Sequence, residues 1–221
     1  MKLQFSKEKF PGILISFCGL DGSGKTTQIE LLESWLKQKG LALTKTFQPT
    51  NEVRKTKLFR QFMDSSNHEG LEYRSLSLIT VSDRLQHSRS FILPKLMNSE
   101  VVISDRYYYC ALANLLSRGY MGDKWIYEIA NFIPKPDVSF FIDINFDVAV
   151  NRVRNRTNEK SESIDEEFNK KLNENSICIG KSNDGVLLNG NDTINEIHNE
   201  VVYHVNKVVK RKLISQQGGS E

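Results

Sequence analysis

The sequence predicts a three-layer α/β fold, with a central parallel sheet of about five strands flanked by helices. Three observations carry this. Short apolar runs rich in β-branched residues (ILISFC, VVIS, VSFFIDI) alternate with longer segments of helical period. Those runs are apolar at consecutive positions, as strands covered on both faces must be. The first run also leads directly into a glycine-rich turn and then a helix.

The elements follow in order. Ile13 to Cys18 is a buried strand. After the glycine turn, residues 26–40 form a helix, with Ile29, Leu32 and Leu36 on one stripe and Gly40 as its stop. Leu41 to Phe47 is a weaker strand, broken by Gln48-Pro49-Thr50-Asn51. Glu52 to Met63 is helical. Gly70 to Asn98 is a long helix, interrupted or kinked near Pro94. Val101 to Ser104 is a second clear strand, ending at Asp105-Arg106-Tyr107. Tyr107 to Ser117 and Lys124 to Phe132 can be helical. Val138 to Ile144 is the third strong strand, after the Pro134-Lys135-Pro136 break. Asp147 to Arg156 is a helix, Thr157 to Ser163 a polar and mobile stretch, and Asp165 to Asn173 a helix. Gly185 to Leu188 is a short strand, and Thr193 to Leu213 the closing helix. No repeat or low-complexity linker is visible.

At 221 residues the chain is expected to form one domain. Its 39% hydrophobic and 26% charged content is that of a soluble globular protein. A net charge of +3 suits an anionic ligand without arguing for a nucleic-acid surface. Cys18, Cys110 and Cys178 are widely spaced and odd in number, which suits free thiols in the cytoplasm rather than a disulfide framework or a zinc site. Cys18 and Cys178 are expected to pack as small hydrophobes. No run approaches the ~18 apolar residues of a membrane span. The start, MKLQFSKEKFPG, is too polar for a signal peptide, and the terminal QQGGSE is expected to fray.

Residues 19–26, Gly19-Leu20-Asp21-Gly22-Ser23-Gly24-Lys25-Thr26, match G-x-x-x-x-G-K-[ST] at every fixed position, with a strand before and a helix after. Such a P-loop turns backbone N–H groups inward around phosphate oxygens, and the helix N-terminus adds attraction. The set from Gly19 to Thr27 is therefore the expected ATP-binding loop. Lys25 would reach the β- and γ-phosphates and the Thr26 hydroxyl would ligate Mg²⁺. The motif names the donor, not the acceptor. Short length argues against a motor. The absence of NKxD lowers the GTPase reading, since Asn169-Lys170 is followed by Lys171-Leu172.

A kinase needs a second anion site opposite the donor. Arg106 lies just beyond strand VVIS, where it can hold a phosphate bidentately. Asp105 beside it could hold Mg²⁺ through water, or orient Arg106. Arg84 and Arg60 are further candidates on helices, each with the plainer reading of a solvated charge. The clusters at 19–26, 47–50 and 105–106 all follow strands, so they can share one cleft at the sheet's carboxyl edge.

GLDGSGKTTQ, the proline in TFQPT, KLFRQFM, SDRLQHS, VVISDRY and RVRNRTNEKSE occur in this order over roughly residues 13–200. Together they resemble the thymidylate kinase family of P-loop nucleoside monophosphate kinases. The resemblance implies transfer from Mg·ATP to a nucleoside monophosphate, dTMP first, in a cytoplasmic homodimer. It implies that Arg60 and Arg106 bind the acceptor phosphate and that Arg84 contacts the acceptor base. Asp21 would sit near the acceptor sugar; as a turn residue capping local N–H groups it has an equal structural reading. The lid would be about residues 152–163, with Arg152, Arg154, Arg156 and Lys160. The family takes its catalytic arginine from the phosphate loop or the lid. This loop has none, so Arg156 comes first, then Arg154 and Lys160. Such a cation can contribute ~10³–10⁵-fold in rate.

The pattern departs from the family on the acceptor side. Phe47 and Gln48 stand where an arginine and an acid are usual. Thr80 stands where an aromatic ring usually stacks on the base, a contact worth about 1–3 kcal/mol. After Arg106 comes Tyr107-Tyr108-Tyr109-Cys110-Ala111 instead of a Ser/Thr-rich segment. Tyr108 or Tyr109 could restore stacking, or pack in the helix. Asn114 could read the base. Two alternatives therefore stand beside dTMP kinase: a paralogue acting on another or modified nucleotide, and a catalytically silent nucleotide-binding regulator.

Overall fold

The computed structural model describes residues 2–64, 70–156 and 165–217. Its sheet has five strands, all parallel: β1 (Ile13–Gly19), β2 (Leu43–Phe47), β3 (Val101–Asp105), β4 (Val138–Asp143) and β5 (Val186–Asn189), in the order β2-β3-β1-β4-β5. The three-layer prediction holds. Strand β1 lies in the middle with all seven residues buried. Its odd residues Ile13, Ile15 and Phe17 meet α1 (Lys25–Gln38) and α10 (Ile194–Gln217) through Leu32, Leu36, Val201 and Val205. Its even residues Leu14 and Cys18 meet the other layer, built largely on α6 (Tyr108–Ser117) and α9 (Glu166–Ser182). Ser16 is fully buried but satisfied, its hydroxyl donating to Ser139 Oγ at 2.8 Å.

The expected helix over 52–63 is two: α2 (Asn51–Arg54) and α3 (Lys57–Asp64). Thr56 separates them, its hydroxyl accepting from Phe59 N–H as an N-cap. The long helix after residue 70 is α4 (Tyr73–His87), a π-turn over Ser88–Ile92, and α5 (Leu93–Met97). The interruption thus precedes Pro94, which sits in the first turn of α5 where it needs no N–H partner. Shorter helices are α7 (Trp125–Ile129) and α8 (Phe146–Arg156).

Helix α9 runs nine residues past the expected end at Asn173. Its polar middle, NENS, hides an inward face at Ser176, Ile179 and Gly180. A Cβ on Gly180 would stand 2.9 Å from Phe141 Cγ, so the missing side chain lets the helix lie on the β4 ring. Cys178, on the opposite side, is exposed, which corrects its expected burial; Cys18 and Cys110 are buried. Tyr107, Tyr108 and Tyr109 are also buried. Tyr107 and Tyr108 donate to the carbonyls of Pro134 and Ile126, so this run is core rather than a stacking platform. Among the described residues no helix is long and apolar enough to cross a membrane.

Candidate active site

Parallel pairing of β1 with β3, with Phe17 opposite Asp105, brings the turn after β1 beside the turn after β3. Residues 19–24 curl between β1 and α1. Gly22 (φ 81°) is there for space as well as for backbone: a Cβ would stand 2.2 Å from Ala149 O on α8. Ser23 Oγ is buried without a partner. Lys25 is 5% exposed, and its ammonium donates to the carbonyls of Gly19 and Leu20 at 3.0 and 2.7 Å. Burial first, and then the nearby Arg106 charge, pull its pKa down to about 8. Thr26 is exposed one residue further on.

Arg106 is left-handed (φ 63°), an unusual backbone for a side-chain-bearing residue. Its N–H donates to Phe17 O at 2.8 Å, and its own carbonyl accepts from Ser104 Oγ at 2.6 Å. Held so, its guanidinium crosses to the glycine loop, donating to Asp21 Oδ1 at 2.6 Å and to Gly19 O at 3.3 Å. Burial opposes the Arg106 charge, but its neighbours, Asp21 first and then Cys110 and Asp105, outweigh it. In return Arg106 holds the exposed Asp21 carboxyl below its usual range. Asp105 Oδ1 is buried with no protein partner.

Sequence reasoning missed Arg54 at the end of α2. Its guanidinium donates to Pro49 O at 2.8 Å, lies over the Phe47 ring at 5.3 Å, and feels the charges of Arg106, Asp21 and Asp105. A cation thus reaches the cluster next to the very position, Phe47, where an arginine had been expected. The turn that carries it, with Gln48–Pro49 cis, is pinned by Asp83, which accepts from both the N–H and the hydroxyl of Thr50.

His87 also has a visible place. Its Nδ1 lies 3.1 Å from Gln48 Nε2 and its Nε2 lies 2.9 Å from Thr46 Oγ1. An amide N–H donating to Nδ1 leaves the imidazole proton on Nε2, facing the threonine. Burial lowers the His87 pKa from 6.5 and keeps the ring neutral. A base with a depressed folded pKa stabilises the fold above its unfolded pKa, and that stability is lost as pH falls below about 6.5 toward the lower folded value. His87→Phe is therefore expected to lower Tm at pH 7.5 and to flatten the fall of Tm between pH 7 and 5. Parallel melting curves of both proteins over that range would contradict it.

The remaining candidates are more scattered. Arg84 is 4% exposed; Nη1 donates to Thr80 O at 2.8 Å, and Nε is buried with no partner. The Thr80 hydroxyl donates to Ser77 O and the Asn114 amide to Cys110 O, so both engage their own helices. Arg60 is exposed on α3. Arg152 donates to Gly190 O at 3.3 Å and Arg154 is exposed. Arg156 is the last described residue of α8, and Lys160, like the rest of the expected mobile stretch, lies outside the described residues.

Chemically this is an anion cleft. Lys25, Arg54 and Arg106 gather positive charge beside the glycine loop, and Asp21 and Asp105 carry carboxylate oxygens among them. Among the described residues no three His, Cys, Asp or Glu side chains converge as a metal cage. Mg²⁺ held mainly by substrate phosphates and water needs no such cage, and the free Thr26 hydroxyl and the unpartnered Asp105 Oδ1 fit that oxygen-only chemistry.

A model of the thymidylate kinase family matches residues 17–201. The chain is similar to a probable thymidylate kinase of Pyrococcus horikoshii, 30% identical over 92% of this chain and 98% of the relative. It is also similar to the thymidylate kinases of Fervidobacterium nodosum, 30% identical over 86% and 96%, and of a Sulfurihydrogenibium species, 34% identical over 86% and 95%. The glycine loop, the strand-end arginine beside it and these matches converge on one statement: the chain belongs to the thymidylate kinase family, nucleoside monophosphate kinases that transfer a phosphoryl group.

Proposed function

We propose that the protein transfers the γ-phosphoryl group of ATP to dTMP, giving ADP and dTDP. The observation that carries this reading is the pairing of two anion-binding features across one cleft: the 19–26 loop, and Arg106 hydrogen-bonded to it through Asp21. In the proposal the loop amides and Lys25 hold the β- and γ-phosphates of ATP. Arg106 and Arg54, with Arg60 from α3, hold the acceptor phosphate. The acceptor's phosphate oxygen attacks directly, so no side-chain nucleophile is required and the protein contributes position and charge. Asp21 keeps Arg106 turned toward the loop and lies near the acceptor sugar. Arg84 faces the acceptor base, with Thr80 and Asn114 beside it. Mg²⁺, held by Thr26 and through water by Asp105, would neutralise phosphate charge. A cation from the lid over 152–163 completes the site, with Arg156 first.

We further read the chain as one kinase domain acting as a cytoplasmic homodimer. The outward side of α4 supports the pairing: Leu78 is 47% exposed beside Leu85 and Ile129, and Phe132 is 56% exposed nearby. The free thiols suit a reducing compartment.

The test is turnover of dTMP, dUMP, dCMP, dGMP, UMP and CMP with Mg·ATP, with products identified. Fast dTDP formation is expected. Silence with dTMP while another acceptor reacts, or silence with all of them, would remove the proposal.

A further inference from the structure

Arg118, just past the end of α6, is held in an unusual way. Its guanidinium carbon lies 4.7 Å from the Phe62 ring centre, 4.5 Å from Tyr73 and 4.2 Å from Phe168. The three rings come from three elements: Phe62 from α3, Tyr73 from the first turn of α4, and Phe168 from the first turn of α9. Among the described residues no carboxylate pairs with it, and its Nε is buried with no partner. Rings therefore hold this cation, and an arginine surrounded by aromatic faces is attracted to each of them. The contacts continue outward. Tyr73 packs on Phe62 at 5.4 Å and stacks on Tyr120 at 5.9 Å, while Arg74 covers Tyr120 and pairs with Asp123.

The elements that meet here matter for the reaction proposed above. Helix α3 carries Arg60, α4 carries Thr80 and Arg84, α6 carries Asn114, and α9 begins shortly after the lid segment. Helix α3 is short and its Arg60, Gln61 and Met63 are exposed, so Phe62 is its buried anchor near the C-terminal end. Its contacts with rings on α3, α4 and α9 place the guanidinium to join these helices, at the wall of a pocket that Asp165, Glu167 and Lys171 also line.

We propose that Arg118 is a positioning residue: its guanidinium clamps α3, α4 and α9 together and so holds the acceptor-side arginines in register with the phosphate loop. The inference rests on the dTMP kinase reading. It assigns Arg118 to acceptor binding and leaves ATP binding to the loop, which it does not touch.

The test compares wild type with Arg118→Leu, Arg118→Lys, Phe168→Leu, Arg60→Ala and the double variant R60A/R118L. KM for dTMP, KM for ATP, kcat and thermal melting are measured for each. R118L is expected to raise KM for dTMP about tenfold with KM for ATP within about twofold, an effect of about 1.4 kcal/mol. R118K should be intermediate, because an ammonium lacks the planar faces that stack. F168L should shift the same way, and the double variant should lose less than the product of the two single losses, since both act through Arg60. An unchanged dTMP KM in folded R118L, equal rises in both KM values, or strict additivity with R60A would overturn the clamp. If R118L does not fold, R118K and F168L decide on the same terms. Wild-type turnover is read separately: no phosphorylation of dTMP sinks the functional reading, and the clamp then stands or falls on calorimetric dTMP affinity, with no binding counting against it.

Discussion

Lys25→Met is expected to abolish phosphoryl transfer and, at the same time, to stabilise the ligand-free protein. Loss of one preorganised cation at the transferring phosphoryl group should cost at least ~10²–10³-fold in rate. The gain in stability has a different origin. Lys25 is 5% exposed, and burial pulls its pKa from 10.5 to about 8. Keeping it charged in the empty fold therefore costs on the order of 3 kcal/mol. The sign follows from the depression of a base. The penalty is complete below about pH 8 and fades as pH rises through 8 toward 10.5. Melting of the ligand-free proteins should thus show the variant more stable than wild type at pH 7, with the gap closing by pH 10. A variant no more stable at pH 7, or one retaining a tenth of wild-type activity, would show that the buried ammonium is not the functional cation described above. ATP binding should also draw protons near pH 8, because phosphate charge restores the lysine's affinity for them; calorimetry in two buffers of different ionisation enthalpy reads that uptake directly.

Arg106 should be as costly to lose, and its variants should separate backbone from charge. Arg106→Ala removes the cation paired with Asp21 and leaves alanine in a left-handed backbone. Loss of ~10²–10³-fold in kcat/KM for dTMP is expected, with a higher acceptor KM. Arg106→Gly should be equally inactive but more stable than the alanine variant by about 1 kcal/mol, since glycine takes φ near +60° freely. Arg106→Lys should recover only part of the activity, because an ammonium cannot reach Asp21 and a phosphate with a planar fork. Acceptor kinetics within threefold of wild type in the alanine variant would remove Arg106 from the site. Equal melting of the alanine and glycine variants would remove the argument from its backbone.

The parallel sheet and the phosphate loop were legible because both depend on near neighbours in sequence. An apolar run, two glycines and a lysine in fixed spacing specify their own geometry. Arg106 was legible because a strand end points one way. Arg54 was not. In the sequence it is one more helical arginine, and it reaches the cluster only because Asp83 pins Thr50, from a helix 33 residues away, and α2 ends after a single turn. The tyrosine run was ambiguous for a related reason: whether a ring packs or stacks depends on what lies beneath it, and carbonyls of Pro134 and Ile126 lie there. Helix α9 was cut short because the NENS stretch has weak local preference, and packing on Phe141 extends the helix past it. Arg118 had no sequence signal, since its three rings come from segments far apart in the chain.

The π-turn at Ser88–Ile92 acts as a phase shifter. Along this length of chain the buried positions include Arg84, Ser88, Ile92 and Leu96, spaced by four, with Leu93 beside them. In a pure α-helix each step of four overshoots a full turn by about 40°, so three steps would carry the stripe about 120° around the axis. The wider turn absorbs that drift, and one nearly straight seam serves both the arginine of the acceptor side and the leucine under β3. The turn thus accommodates one extra residue. Dropping an exposed one, such as Ser90, would let the helix wind normally, and the eleven steps left between Arg84 and Leu96 would still make about three turns, so Ile92 and Leu96 would stay in the core.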